Sequence, residues 1–263
     1  MKKFIIVVAK SFLYFIGWAM LASFIPLPNT EIPAIWRFWA ELVPFLCIVG
    51  ITFLFWLIER RKTQVFPICH FAKDCVIGIL GGAVWLGLTF LIMLFLGVLK
   101  VESVNTVSFL WLWIFSVFIN TVMQELLVRG YLYQLIKGNY NVVCATIISS
   151  ALFTFMHGGA FEAGIIPVLN VLSMSLLMTV VLEYTHSLLV PIIMHFFWNA
   201  VGAVILGGVS LAEDYPHLFT ITFDGSTLLS GGIYKMEGSI VVLILNLILI
   251  AVLMFFLRQR AKE

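Results

Sequence analysis

Charge is what this sequence has least of. Of its 263 residues only 11% are Asp, Glu, Lys or Arg and 62% are hydrophobic, against about 25% and about 45–50% in soluble domains. That excludes an ordinary soluble fold and makes the chain a membrane protein. The alternation of polar and apolar residues that marks barrel strands is missing, so a β-barrel is excluded too. There are four cysteines, Cys47, Cys69, Cys75 and Cys144, scattered and mostly in or beside apolar runs; no disulfide framework follows from them. No basic patch suited to nucleic acid, no repeat, no low-complexity tract and no soluble domain is visible, and a net charge of +2 constrains partners little.

What is present is apolar sequence in lengths that cross a bilayer, about 20 residues each. Eight such stretches lie near 4–25, 38–58, 75–98, 107–129, 141–157, 164–183, 187–208 and 239–257. The expected fold is an all-α integral membrane protein, an eight-span helical bundle forming one polytopic domain over 1–263. The N-terminus has the basic start and apolar middle of a signal sequence, but its run is long, contains Lys10 and lacks an A-x-A site, which favours an uncleaved first span. With the N-terminus inside, Lys2, Lys3, Arg60, Arg61, Lys62, Lys73, Arg129, Lys137, Arg258, Arg260 and Lys262 are cytoplasmic, and Arg37, Lys100 and Lys235 are outside. Eleven against three predicts cytoplasmic N- and C-termini. Lys10 is expected to snorkel to the inner headgroups. The outer segment 209–238 reads as a surface loop, with His217 exposed, and "CHFAKDC" (69–75) as a loop at a membrane boundary rather than a zinc site, which needs more ligands.

Ionisable and amide groups inside spans are costly and mark candidate sites. Three clusters stand out. In "NTVMQELLVRG" (120–130), Thr121, Glu125 and Arg129 recur every four residues on one helix face, with Asn120 and Gln124 about 100° away. Read alone, Glu125 and Arg129 form an i,i+4 pair in the favourable order. In "SALFTFMHGG" (150–159), His157 closes an apolar helix with Phe153 one turn earlier. In "PIIMHFFWNA" (191–200), His195 and Asn199 lie four apart and point one way, an arrangement an interhelical hydrogen bond would also explain. Glu41, near the start of the second span, could line the same bundle but reads as mostly structural; Asn170, Ser173 and Ser175 read as packing or hydrogen-bonding contacts, and Glu183 and His186 as solvated residues at a cytoplasmic turn.

The turn "KGNYN" (137–141) predicts an antiparallel hairpin. Gln124 and Glu125 precede its centre by about 15 residues and His157 follows by about 17, both roughly 24 Å along their helices, so they are expected to face each other. Glu125 comes out about 6 Å and His195 about 12 Å inside the cytoplasmic boundary. The break at His157, Gly158 and Gly159 shortens the fifth span, and irregular backbone is expected there.

The clusters read "QELLVR" (124–129), "FTFMH" (153–157) and "HFFWN" (195–199). In this order they resemble the EExxxR, FxxxH and HxxxN motifs of the intramembrane peptidase family that holds the type II CAAX prenyl proteases and the bacterial bacteriocin-processing and immunity proteins, the CPBP or Abi family. The resemblance covers a core from about 107 to 208. It implies an intramembrane endopeptidase of a multi-pass protein, in a bacterial cell membrane, in contact with membrane lipid and acting on a membrane-associated peptide or lipidated protein. It further implies that the first acidic position and His157 activate a water, that His195 and Asn199 stabilise the oxyanion, and that Arg129 holds Glu125 ionised and oriented.

One position departs from the pattern. Gln124 stands where the family has Glu, and an amide cannot take a proton from water. Either Glu125 serves as base or anchor, or the fold persists without protease activity as an immunity or partner-binding protein, or the position was altered. An intact remainder favours catalysis through Glu125. Cofactor use is open: Glu125, His157 and His195 contain the one-carboxylate, two-histidine set of a catalytic zinc site, but without an HExxH helix a metal-free water mechanism is favoured. A transporter is disfavoured, because no paired broken helices appear. Oligomeric state has no signal in the sequence.

Overall fold

A computed structural model describes residues 2–209, 215–260 and 262. The described residues are mainly helical, with one short strand pair among them, and the chain forms two compact units. Among the described residues six helices are long and apolar enough to cross a bilayer, and two shorter apolar helices, Val142–Met156 and Leu189–Ile205, occur where the fifth and seventh spans are expected. This is an all-α, multi-pass architecture. Glu213 and Asp214 of the outer segment, and the terminal residues Met1 and Glu263, lie outside the described residues.

The first unit comprises Met1–Pro67 and Phe109–Ser149. It contains α1 (Lys2–Phe24), α2 (Pro33–Ile58), α4 (Leu110–Glu125), a π-helical segment (Leu126–Leu132), α5 (Tyr133–Asn139) and the start of α6 (Val142–Met156). Pro33 opens α2, where its missing N–H is harmless. Helices α1 and α2 are joined by polar contacts inside an apolar interface: Tyr14 and Thr52 share a hydrogen bond of 2.7 Å, and Trp18 Nε1 donates to the Pro44 carbonyl. Lys10 Nζ lies 2.7 Å from Glu59 Oε1, to which Tyr131 also donates at 3.3 Å; Glu59 caps the end of α2 beside Arg60 and Arg61, so the Lys10 charge is neutralised next to the basic residues that read as cytoplasmic.

The second unit comprises Ile68–Ser108 and Ser150–Glu263. It holds α3 (Phe71–Phe95), β1 (Leu99–Val104), the end of α6, α7 (Gly158–Ala163), α8 (Ile165–Thr185), α9 (Leu189–Asn199), a second π-helical segment (Ala200–Ile205), β2 (Phe219–Phe223), α10 (Thr227–Ser230) and α11 (Ile240–Arg260). Helices α3 and α9 approach closely because α3 offers glycines. A Cβ at Gly78 would come within 2.7 Å of Ile193, and one at Gly82 within 2.7 Å of Phe197; small residues at helix crossings are how lipid-embedded helices gain packing. Behind α9, Trp85 and Trp198 stack at 4.2 Å. Trp85 Nε1 donates to Asn246, which donates in turn to Ser173, while Asn170 donates to the carbonyls of Glu237 and Ser239. Asn170 and Ser173 are thus the packing contacts expected of them.

The described residues of segment 209–238 include regular structure where a loop is expected. Strand β2 pairs antiparallel with β1, from Leu99 opposite Phe223 to Val104 opposite Phe219, with a bulge between Val101 and Ser103. His217 is half-buried rather than exposed: its ring lies against Gly207, where a Cβ would come within 2.8 Å. Burial first, and the nearby Lys235 charge second, push its pKa below the usual histidine value. The "CHFAKDC" stretch starts a helix. Asp74 Oδ2 accepts from the backbone amides of Cys69 and His70, satisfying donors a helix start leaves unpaired.

Candidate active site

Glu125 is the last residue of α4, and the helix changes to π geometry at Leu126. Such i→i+5 insertions are rare and concentrate at functional sites. All seven residues of the segment are buried. At Gly130 a Cβ would lie 2.8 Å from the Val65 carbonyl oxygen, so only glycine lets the connection after α2 close against this turn. Arg129 Nη1 donates to both oxygens of Glu125 at 2.8 Å, and neither side chain is exposed to any extent. An uncompensated buried ion costs several kcal/mol, so each charge is tolerable only beside the other.

The second stripe of α4 is also bonded. Gln124 Nε2 donates to Asn120 Oδ1 at 2.6 Å, Asn120 Nδ2 donates to Glu41 Oε2 at 2.7 Å, and Arg37 Nη1 donates to Glu41 Oε1 at 3.3 Å. Glu41 reads as structural in the sequence, and its link to Gln124 is a feature that sequence reasoning misses. The one signal that points to it is its spacing, four residues after Arg37 and inside a span.

In the second unit α6 stops at Met156, and His157 precedes α7 in non-helical backbone. Helix α8 then starts after Gly164 at φ 115°, a conformation that glycine adopts without strain. This is the irregular stretch expected at the glycine break. His157 Nδ1 lies 2.7 Å from the Phe153 carbonyl oxygen. A carbonyl only accepts, so Nδ1 carries the proton, and in the neutral ring Nε2 keeps its lone pair and can act as a base. The His157 ring lies over Phe153 at 4.3 Å, and His195 meets the same ring edge-on at 5.8 Å. Phe153 and His195 are each 1% exposed, so one buried ring sets the position of both histidines. Asn199, half-buried, is one turn beyond His195 and ends α9 where the second π segment begins.

The six expected site residues therefore fall into two sets. Gln124, Glu125 and Arg129 belong to the first unit, and His157, His195 and Asn199 to the second. Within each unit the structure brings the set together: the carboxylate with its guanidinium, and the two histidines about Phe153. Among the described residues no group of three or more His, Cys, Asp or Glu side chains is arranged to hold a metal ion.

No curated protein and no solved structure matches the chain. Residues 106–201 match the family described as type II CAAX prenyl endopeptidase Rce1-like. That stretch contains all three motifs, and it is similar to the CAAX-type intramembrane peptidase family that they resemble.

Proposed function

We propose that this protein is an intramembrane endopeptidase that hydrolyses a peptide bond of a membrane-associated peptide or a lipidated protein tail with an activated water. The observation that carries the reading is the tautomer of His157. Its Nδ1 proton is directed at Phe153 O, which puts the lone pair of the neutral ring on Nε2, the atom we assign as acceptor of the water proton. General-base assistance of this kind contributes about 10²–10⁴-fold. Glu125, held ionised by Arg129, is assigned to the same water as base or anchor. His195 and Asn199 are assigned to the developing oxyanion, where one well-placed donor is worth about 10²–10³ in kcat. The two sets are joined in one reaction by the order of the motifs and by the family match over residues 106–201. The same reading takes the two shorter apolar helices as spans, giving eight, with both termini cytoplasmic and the reaction in the cytoplasmic half of the bilayer. Metal-free hydrolysis is favoured over a zinc site on Glu125, His157 and His195.

The test is reconstitution. Purified protein in liposomes is offered prenylated CAAX-tail peptides and single-span peptides, and Glu125→Ala, His157→Ala and His195→Ala are each expected to abolish cleavage while the fold is kept. Cleavage surviving all three changes removes the site assignment.

Gln124 motivates a second reading, a non-catalytic immunity or partner-binding protein of the same fold. It predicts a native protein inert on every peptide that nevertheless protects cells from a peptide toxin, with protection retained in His157→Ala and His195→Ala. Loss of protection in both variants counts against it.

A further inference from the structure

The chain Arg37, Glu41, Asn120, Gln124 has a direction. Glu41 accepts from Arg37 Nη1 through Oε1, and Asn120 presents its NH2 group to Glu41 Oε2, at 2.7 Å. The Asn120 amide is thereby oriented, with Oδ1 turned to Gln124. Gln124 then presents its own NH2 group, at 2.6 Å, and its Oε1 is turned away from Asn120. That oxygen is buried and has no hydrogen-bond partner among the described residues, which is costly for a buried amide. A group so placed suits a ligand that donates a hydrogen bond. Glu41, the residue that starts the relay, is buried on α2, the helix packed along α4.

We propose that Glu41 is a positioning residue that acts through Asn120 to hold Gln124 Oε1 as the acceptor that orients the attacking water. This rests on the endopeptidase reading. Gln124 takes no proton; it accepts a hydrogen bond from one O–H of the water, and the proton lost on attack goes to the base. The amide at the first motif position is then a fixed acceptor rather than a failed base.

The test variant is Glu41→Gln, a neutral isostere that can donate as well as accept and so releases the polarity of the relay. Turnover is expected to fall about tenfold at unchanged KM, since water is misdirected without loss of substrate contacts. In the Gln124→Glu background, where both oxygens at position 124 accept in any orientation, the same change is expected to cost less than a third as much. Unchanged turnover in Glu41→Gln, or an effect confined to KM, overturns the proposal.

A second readout needs no substrate. The chain has four glutamines, Gln64, Gln124, Gln134 and Gln259, and selective 15N labelling of their side-chain amides gives few NMR signals. The Gln124 pair, identified by its loss in Gln124→Glu, is expected to shift in Glu41→Gln. An unmoved pair overturns the relay whether or not the protein cleaves anything. A shifted pair in a protein that cleaves nothing leaves the relay standing and removes the water-orienting role together with the endopeptidase reading.

Discussion

The two site-bearing regions hold their functional groups by different means. In the first unit Glu125 is fixed by a charge: both oxygens are bound by Arg129, one turn away on the same chain segment, and nothing there is solvated. In the second, His157 and His195 are fixed by shape, around the Phe153 ring, with one backbone bond setting the His157 tautomer. The difference follows from the cost of burial. An ionised group in an apolar interior needs its counter-charge at hand, whereas an imidazole can also be positioned by packing against an aromatic ring. Position is secured in one region by electrostatics and in the other by an aromatic wall.

The comparison can be broken first at the ion pair. Arg129→Ala takes from the buried Glu125 its bidentate guanidinium partner, and is expected to cost about 3–5 kcal/mol, whereas Glu125→Leu with Arg129→Met is expected to recover most of that stability without activity. Denaturation in mixed micelles reads both. If Arg129→Ala unfolds no more easily than the native protein, charge does not hold this region. Phe153→Leu addresses the other side. A near volume-conserving change in a packed core costs less than about 1.5 kcal/mol, yet it removes the flat surface that both imidazoles use, so turnover is expected to fall well beyond what the stability loss explains. His195→Ala sharpens the contrast furthest. It is expected to cost about 1 kcal/mol in stability and about 10²–10³ in turnover; a stability loss as large as that of Arg129→Ala would erase the distinction between the two regions.

The helices and the Glu125–Arg129 pair are legible in the sequence, because long apolar runs and i,i+4 spacing are local properties of a chain. The break at His157 is legible for the same reason, from two consecutive glycines. Other features are not. Both π segments begin immediately after a motif residue, Glu125 and Asn199, but an i→i+5 bond leaves no trace in composition or hydrophobic period. The β1–β2 pair joins segments more than 100 residues apart, and "KVESV" is too short to separate by alternation from the apolar run before it. Lys10 and Glu59 are 49 residues apart, and Glu41 reaches Gln124 through a residue 79 positions along. Long-range polar partners of this kind are invisible to periodicity, and they make Lys10 an ion-pair member and Glu41 part of a hydrogen-bonded chain that reaches Gln124.

Cleavage in 18O-labelled water is the most direct measurement of whether these residues form a hydrolytic site. Protein reconstituted in liposomes and given a prenylated or single-span peptide should yield a product whose new carboxylate carries one 18O, with the yield lost in His157→Ala and retained in a variant at an exposed position such as Phe95→Leu. Absence of any labelled product from the native protein, or labelled product undiminished in His157→Ala, would contradict the hydrolytic role.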